Sequence, residues 1–213
     1  MLTTSLSEIK EVLKTSGLGH RVRIHPLKRD FLNMEGAETR LRRRGKSVAW
    51  FIPGGTVGNI DEERLFNAIK SKAEANDLLI LGAETYGSKL TGAIRNELKR
   101  KYRAPEFRNF LRPSLQSIWH ELDIKDTLDN RLKKIEVKIV DGPLNMYSSV
   151  PDAATVEMSL IVNGRKIVLL TSTRYSETQL KAFANQQHFI CETTVSTTAN
   201  PQYKLFVFRY VPE

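Results

Sequence analysis

Apolar residues in the first part of the chain follow two periodicities, one typical of amphipathic helices and one of buried strands. In SLSEIKEVLKTSG, Ile9, Val12 and Leu13 recur at helical spacing. Ser5 and Glu8 stand three residues apart ahead of that stripe, which is the capping-box signal of a helix start. The pattern predicts a helix that begins after Ser5.

Three short apolar runs follow: RVRIH at 21–25, VAWFI at 48–52 and DLLILGAE at 77–84. The run at 48–52 is apolar throughout, which is typical of a strand covered on both faces. A helix with Asp61 as its N-cap is predicted between the second and third runs. This alternation of helices and strands indicates a parallel sheet with helical crossovers.

The pattern changes after the third run. Residues 88–123 are predicted to be helical, with interruptions near Pro105 and Pro113, and residues 155–173 form a hairpin that turns at Asn163-Gly164. The remaining predicted elements are a strand at 133–140, a helix at 176–187 with Ser176 as its cap, and strands at 189–197 and 204–211. The order predicts one α/β domain into which an α+β lobe is inserted.

The composition argues against a membrane protein, a secreted protein and a disulfide-rich protein. Within 213 residues there is no run of 18 apolar positions, so we expect no transmembrane helix, and the start does not read as a signal peptide. The single cysteine, Cys191, excludes an internal disulfide framework. We therefore expect a cytoplasmic protein of a reducing compartment.

The net charge of +9 raises the question of nucleic acid. Its densest cluster, RLRRRGK at 40–46, lacks interleaved aromatic residues and reads as a solvated turn, so nucleic acid is not an expected partner. The IEVK segment offers half of a nuclease signature, with Asp129 upstream. Alternation assigns Glu136 and Lys138 to the solvated face of a strand instead, and a metal site is not expected.

Candidate ligand chemistry lies where the predicted strands end. The run at 48–52 stops at Pro53-Gly54-Gly55, and Asn59 follows shortly before the next helix. In sheets of this kind ligands bind beyond the carboxyl ends of the strands, where Asp30 and Glu84 are also expected. Glycines at such a position let a ligand approach the backbone because no Cβ intervenes.

These segments together resemble a known family. GGTVGNI, with KRDF, LLILGAE, IWHEL, TVEMSL and the terminal TSTRYSETQLKAFANQQHFI and YKLFVFRY, is similar in order and spacing to the histidine-specific, S-adenosylmethionine (SAM)-dependent N-methyltransferases of ergothioneine biosynthesis. The resemblance implies an incomplete class I (Rossmann-like) methyltransferase sheet at 1–100 and 175–213, with an inserted substrate-binding lobe at 101–174. It implies SAM as the cofactor and an amino-acid amine as the small-molecule substrate.

For the cofactor, the resemblance places Asp30 and Phe31 beside the adenine, and Gly54 and Gly55 against the ligand at the strand end. Asp30 also reads as a surface turn residue after a proline. Asn59 matches the asparagine that hydrogen-bonds the substrate amino acid, a role that suits an amide because it donates and accepts. The alternative for Asn59 is an Asx-type cap on the following helix.

Three lobe residues complete the implied substrate site: Tyr102, Met158 and Ser172. Tyr102 would point at the amino acid, with packing at a helix end as the alternative. Met158 would line the pocket, although a methionine on a strand commonly fills a core. Ser172 would contact the substrate imidazole, or lie in solvent at a strand end.

The sequence departs from the family pattern in two ways. No glycine-rich turn precedes the first recognisable helix, and Gly17 and Gly19 read as the stop of that helix. Leu170 stands where the family has a glutamate that holds the histidine side chain, and Arg174 replaces a lysine. Because a leucine cannot accept that hydrogen bond, histidine as the substrate is in question.

Two functions are therefore expected as alternatives. The first is SAM-dependent methylation of an amino-acid amine, with the isolated chain incomplete or inactive and Glu84 as a weak candidate base. The second is a non-catalytic subunit or interaction module, in which a partner chain completes the sheet at its exposed edge. A slide of the 21–25 strand toward 48–52, or a degenerate remnant, would also account for the missing strands.

Overall fold

The computed structural model describes residues 14–15, 47–118, 127–142, 145–196, 198 and 200–213. The chain divides between Glu35 and Gly36, and the features below belong to the second unit. Of the predicted first helix only Lys14 and Thr15 are described, and both are helical. The predicted strand at 21–25, Asp30, Phe31 and the basic cluster at 40–46 lie outside the described residues.

The described elements follow the predicted order closely. They are strand β1 (Ala49–Ile52), a 3-10 helix (Thr56–Asn59), α1 (Glu62–Lys70), β2 (Leu78–Glu84), α2 (Gly92–Arg103), α3 (Pro105–Ile118), α4 (Leu128–Lys133), β3 (Glu136–Val140), β4 (Ala154–Val162), β5 (Arg165–Arg174), α5 (Glu177–Gln186), β6 (Phe189–Ser196) and β7 (Tyr203–Tyr210). None of the described helices is long and apolar enough to span a membrane.

Within the described residues 92–118, the helical region breaks once where two interruptions were predicted. Ala104 ends α2, and Pro105 opens α3, a position where the missing proline N–H leaves no bond unmade. The predicted break near Pro113 was wrong, because Pro113 lies inside α3. Both Pro113 and Asn109, whose carbonyl loses its helical donor, are exposed, so water can serve that carbonyl.

A four-stranded sheet in the order β1-β2-β7-β6 forms one half of the described unit. β1 and β2 are parallel and joined through α1, which is the βαβ arrangement of a Rossmann-like sheet. β7 runs antiparallel to both β2 and β6. Together with the separate lobe sheet, this mixed architecture confirms the predicted α/β fold class.

The expectation that the 48–52 run is covered on both faces was wrong. Ala49 and Phe51 are exposed, Phe51 to 58%, while Trp50 and Ile52 are half-buried. Among the described strands β1 pairs only with β2, so it forms an edge there. One face of this strand therefore lacks cover from the described elements.

The lobe contains a three-stranded antiparallel sheet in the order β3-β4-β5. Asn163 and Gly164 both have positive φ, as the predicted hairpin turn requires. Helices α2, α3 and α4 contribute to a core on one face of this sheet, with members Leu98, Tyr102, Leu111, Leu115, Leu132, Val137, Val156, Met158 and Leu160. On β3, Glu136 and Lys138 pair with each other at 3.0 Å, as expected for a solvated face.

The two sheets meet where β2 and β5 end. Thr85 and Tyr175 form a parallel bridge. The N–H of Tyr86 donates to the carbonyl of Tyr175 at 3.0 Å, and the N–H of Tyr175 donates to the carbonyl of Glu84 at 3.2 Å. Side chains at the ends of these two strands are therefore held close together.

Gly82 in β2 supports the turn that follows β1. A Cβ at Gly82 would lie 2.0 Å from the hydroxyl of Tyr203 and 2.8 Å from the carbonyl oxygen of Gly54. That same Tyr203 hydroxyl accepts the N–H of Gly54 at 2.7 Å. A side chain at position 82 is excluded because the turn packs directly on the strand.

We expect Gly82→Ala to destabilise the protein by about 1–3 kcal/mol, the usual cost of overpacking a closed site. Gly92→Ala is the matched control, because a Cβ at Gly92 meets open space. The free energy of unfolding from urea titrations is the measurement. Equal stability of Gly82→Ala and the wild type would contradict this packing.

Glu157 on β4 is buried and accepts bonds from Tyr147 Oη at 2.6 Å, Lys166 Nζ at 2.7 Å and Ser159 Oγ at 3.1 Å. Burial acts to raise the pKa of Glu157, but the bonds from Lys166, Tyr147 and Ser159 outweigh it, so the pKa lies below its ordinary value. A carboxyl with a depressed folded-state pKa stabilises the fold above its unfolded pKa of about 4.3, and this contribution disappears as the pH falls through the folded value.

Glu157→Gln is therefore expected to reduce stability at pH 7 by about 1–3 kcal/mol, with the deficit shrinking in acid. Unfolding titrations between pH 7 and pH 3 measure this difference. Glu136→Gln, on the exposed pair, serves as the control and should cost under about 1 kcal/mol. A deficit for Glu157→Gln that grows on acidification would refute the assignment.

Candidate functional site

The turn after β1 presents backbone to open space. Gly54 has a φ of 70°, and no atom of the described residues lies within 4 Å of a Cβ built on Gly54 or Gly55. Thr56 Oγ1 donates to the Pro53 carbonyl at 3.0 Å, and Tyr203 holds the Gly54 N–H from the other side. The turn is thus fixed from within while its outer surface stays open to a ligand.

The 3-10 helix that follows lies directly against β5. A Cβ on Gly58 would lie 2.4 Å from the carbonyl oxygen of Thr173, so only glycine permits this approach. Next to it, Asn59 is exposed, and its side chain makes no hydrogen bond within the described part of the chain. The cap of α1 is instead Asp61, whose carboxylate accepts the N–H of Arg64 at 3.0 Å. The Asx-cap alternative for Asn59 is therefore not observed.

A polar cavity of about 280 Å³ adjoins Asn59. Asp61, Tyr147 and Thr171 are among the polar residues that line it. Its size is near the lower end of small-molecule sites. The cavity offers carboxylate, amide and hydroxyl groups together a few residues from the open glycine turn.

Glu62 fixes one wall of this cavity, which is here called the Asn59 cavity. Only 1% of Glu62 is exposed, and its carboxylate accepts bonds from Ser148 Oγ at 2.8 Å, the Ser149 N–H at 3.0 Å and Tyr175 Oη at 2.7 Å. Burial, and then the Glu62 charge, raise the pKa of Tyr175 well above its usual value. Tyr175 therefore remains a donor, and Glu62 ties the start of α1 to the lobe.

Arg174 organises a second cluster where β2 and β5 end. The residue is 5% exposed, and its guanidinium donates from Nη1 to Ser172 Oγ at 2.8 Å and from Nη2 to Tyr102 Oη at 2.5 Å. Nε lies 2.5 Å from Glu84 Oε2, an ion-pair contact without hydrogen-bond alignment. The guanidinium also lies 5.7 Å from the centre of the Tyr102 ring. The cluster is a packed, charge-compensated group.

The predicted substrate residues of the lobe are thus already engaged. Tyr102 and Ser172 bind Arg174, and Met158 is fully buried in the lobe core, which Leu170 also contacts. Glu84 pairs with Arg174 and lies 3.3 Å from Lys101, so it is not available as a base.

The structure does not bring Asn59 together with these lobe residues. Ser172 is opposite Val156 in the sheet, whereas Thr171 is opposite Glu157. Because neighbouring residues of a strand point to opposite faces, Thr171 and Ser172 face different sides of β5. Thr171 belongs to the Asn59 cavity, and Ser172 belongs to the Arg174 cluster.

Sequence reasoning missed the roles of Glu62 and Arg174. Glu62 looked like an ordinary acidic residue in the first turn of a helix, and only the packing of the lobe against α1 buries it. For Arg174 the resemblance indicates only the replacement of a lysine, because the partners of its guanidinium come from three separate segments. A buried cation near Glu84 could have been suspected from the side-chain alternation of β5.

A metal site and a ligand site elsewhere on the described surface have less support. No three His, Cys, Asp or Glu side chains in the described ranges converge as a metal site would require. A wider cleft of about 900 Å³ lies between α2 and α3. It is lined by charged side chains such as Lys99, Arg100 and Glu106 and contains none of the predicted site residues.

Two methyltransferases are among the solved structures to which the chain is similar. A SAM-dependent methyltransferase from Clostridium acetobutylicum ATCC 824 is 11% identical with a TM-score of 0.41, and the match covers 97% of this chain and 71% of that one. The CcbJ methyltransferase from Streptomyces caelestis is 8% identical with a TM-score of 0.39, covering 88% of this chain and 64% of the other. The chain thus spans less than two thirds of the second structure's length.

None of the curated proteins compared with the chain matches it. The sequence profile of the histidine-specific, SAM-dependent methyltransferases, in contrast, matches residues 1–210. That match covers nearly the whole sequence and confirms the resemblance carried by GGTVGNI and the accompanying segments. The chain belongs to the histidine-specific, SAM-dependent methyltransferase family.

Proposed function

We propose that this chain binds SAM at the Gly54-Gly55 turn and methylates the amine of an amino acid held in the Asn59 cavity. The observation that carries the proposal is the open, internally fixed turn at the end of β1 with a polar cavity a few residues away. Ligands of open α/β sheets bind at this edge, beyond the carboxyl ends of the strands.

The described part of the proposed cofactor site leaves room for a ligand to lie directly against the backbone of the Gly54-Gly55 turn. None of the described residues fills the space beside Gly54 and Gly55, and the Tyr203 hydroxyl holds the turn by accepting the Gly54 N–H. Asp30 and Phe31 are proposed to hold the adenine and lie outside the described residues. SAM, when bound, supplies an electrophilic methyl group.

The chain's own residues would position the acceptor. The Asn59 amide can accept a hydrogen bond from an amine and donate one to a carboxylate. Because Asn59 does not cap α1, both its oxygen and its N–H groups are available for a ligand. Asp61 adds a carboxylate that attracts an ammonium group. The amine must lose its proton before it reacts. The site must therefore align the amine with the methyl group and remove that proton.

Arg174 favours a second candidate function, a non-catalytic member of the family. Its guanidinium occupies Tyr102 and Ser172, two of the groups proposed to contact the substrate. A cationic substrate would have to displace a buried arginine that is paired with Glu84. In this alternative the chain acts as a subunit or interaction module, and its partner is another polypeptide.

Calorimetry with SAM and S-adenosylhomocysteine is expected to show binding to the full chain. Gly55→Leu should weaken binding at least about tenfold, because the added side chain enters open space and blocks the ligand without a clash in the free protein. Gly92→Ala is the control and should bind as the wild type does. If Gly55→Leu binds as tightly as the wild type, the turn is not the cofactor site.

Methyl transfer to free amino acids, followed by mass spectrometry, separates the two candidates. In the catalytic case Asn59→Ala should lower kcat/KM by about 10–100-fold, the effect of losing a hydrogen bond to a charged group, with SAM affinity unchanged. Asn67→Ala, on the exposed face of α1, is the matched control. Absence of transfer to every amino acid, despite SAM binding, would favour the non-catalytic candidate.

Arg174→Lys tests whether the guanidinium blocks the lobe site. Lysine keeps a charge for Glu84 but cannot reach Tyr102 and Ser172 with a planar fork, so we expect a stability loss of about 1–3 kcal/mol. Histidine binding should increase in this variant, measured by calorimetry beside Arg209→Lys as an exposed control. Unchanged histidine binding would show that Arg174 does not occlude a histidine site.

A further inference from the structure

A separate cavity of about 390 Å³ lies in front of helix α5. Tyr86 and Lys89 from the segment after β2, Asp152 from the lobe, and Ser176, Thr178 and Gln179 from the start of α5 contribute to its lining. It shares no lining residue with the Asn59 cavity.

The start of α5 is left uncapped toward this cavity. Ser176 occupies the N-cap position, as predicted, but its side chain makes no capping bond. Glu177 does not replace it, because its carboxylate binds Lys181 at 2.6 Å and also Lys204. Within the described residues, the N–H groups of Thr178 and Gln179 have no acceptor. Such N–H groups, at the positive end of the helix dipole, favour an anion.

The Ser176 hydroxyl is an independent sign of a ligand. The residue is 5% exposed, lines the cavity, and makes no side-chain hydrogen bond with any described group. A hydroxyl that has no partner among the described residues and lies next to free helix N–H groups suits an acceptor that enters the cavity.

Charged side chains on the other walls of the cavity indicate which charge the far end of a ligand would carry. Lys89 is exposed and makes no ion pair in the described part of the chain, so it adds to the positive side. Asp152 carries a carboxylate without an ion pair there, and its backbone carbonyl is fixed by the hydroxyl of Tyr86. Asp141, also in the lining, is neutralised by Arg95. The unpaired Asp152 carboxylate would repel a ligand that is only an anion. The cavity therefore suits a ligand that carries both a negative and a positive charge.

We propose that this cavity binds a small zwitterion of the amino-acid type. Its carboxylate lies on Ser176 and the free N–H groups of α5, near Lys89, and its ammonium faces Asp152. The proposal does not depend on methyl transfer or on the Gly54-Gly55 turn. It adds a second small-molecule site to the chain.

The test uses the full chain with glycine, acetate and methylammonium as probes, followed by calorimetry and by amide NMR of α5. Glycine should shift the amide resonances of Thr178 and Gln179, and acetate or methylammonium should bind at least ~tenfold more weakly. No shift at these two amides, or acetate binding as tightly as glycine, would overturn the zwitterion assignment.

Variants separate binding from folding. Ser176→Ala removes no capping bond, so the Tm should stay unchanged while glycine binding weakens about tenfold. Lys89→Ala and Asp152→Asn, on exposed positions, should weaken it similarly, and Asn tolerates the positive φ of position 152. Lys133→Ala, on an exposed helix position outside both cavities, is the matched control and should leave glycine binding intact. Wild-type affinity in all three cavity variants would refute the site.

Discussion

The buried guanidinium of Arg174 is the constraint on which the central part of this structure depends. A cation with 5% exposure at the meeting point of two sheets requires a counter-charge and acceptors, and they come from three places in the chain. Glu84 ends β2, Tyr102 lies in α2, and Ser172 is a neighbour on β5. Removing Glu84 would leave the buried charge uncompensated, and removing Tyr102 or Ser172 would leave one of its donors without an acceptor. The end of the four-stranded sheet, the lobe helix and β5 are therefore held in fixed relation.

This constraint separates the chemistry of the two faces of β5. On one face Arg174 uses the acceptors of Tyr102 and Ser172, which leaves a closed cluster over the lobe core. On the other, Gly58 brings the 3-10 helix against Thr173, and Glu62 holds the loop at Ser148 and Ser149. The accessible polar groups therefore lie beside Asn59 and the glycine turn. The chain belongs to a SAM-dependent family, and the glycine turn is the cofactor site that we propose.

Local signals predicted most of the described elements. Asp61 caps α1, the Asn163-Gly164 turn joins β4 to β5, and Glu136 and Lys138 lie on a solvated face, because each depends on nearby residues alone. Two predictions failed because they depend on the surroundings of the segment. Pro113 lies inside α3, where it and Asn109 are exposed, and Phe51 is exposed because the described elements do not cover its face of β1. The candidate site shows the same division: the glycines and Asn59 follow from a motif, whereas the burial of Glu62 and the engagement of Tyr102 require the folded lobe.

A double-mutant cycle between Glu84 and Arg174 tests most directly whether this buried pair holds the two sheets together. The free energy of unfolding would be measured for Glu84→Gln, Arg174→Met and the double variant. We predict a coupling of at least about 1 kcal/mol, because Glu84→Gln leaves the Arg174 charge buried without its counter-charge, a penalty that the double variant removes. Additive effects within about 0.5 kcal/mol would contradict it.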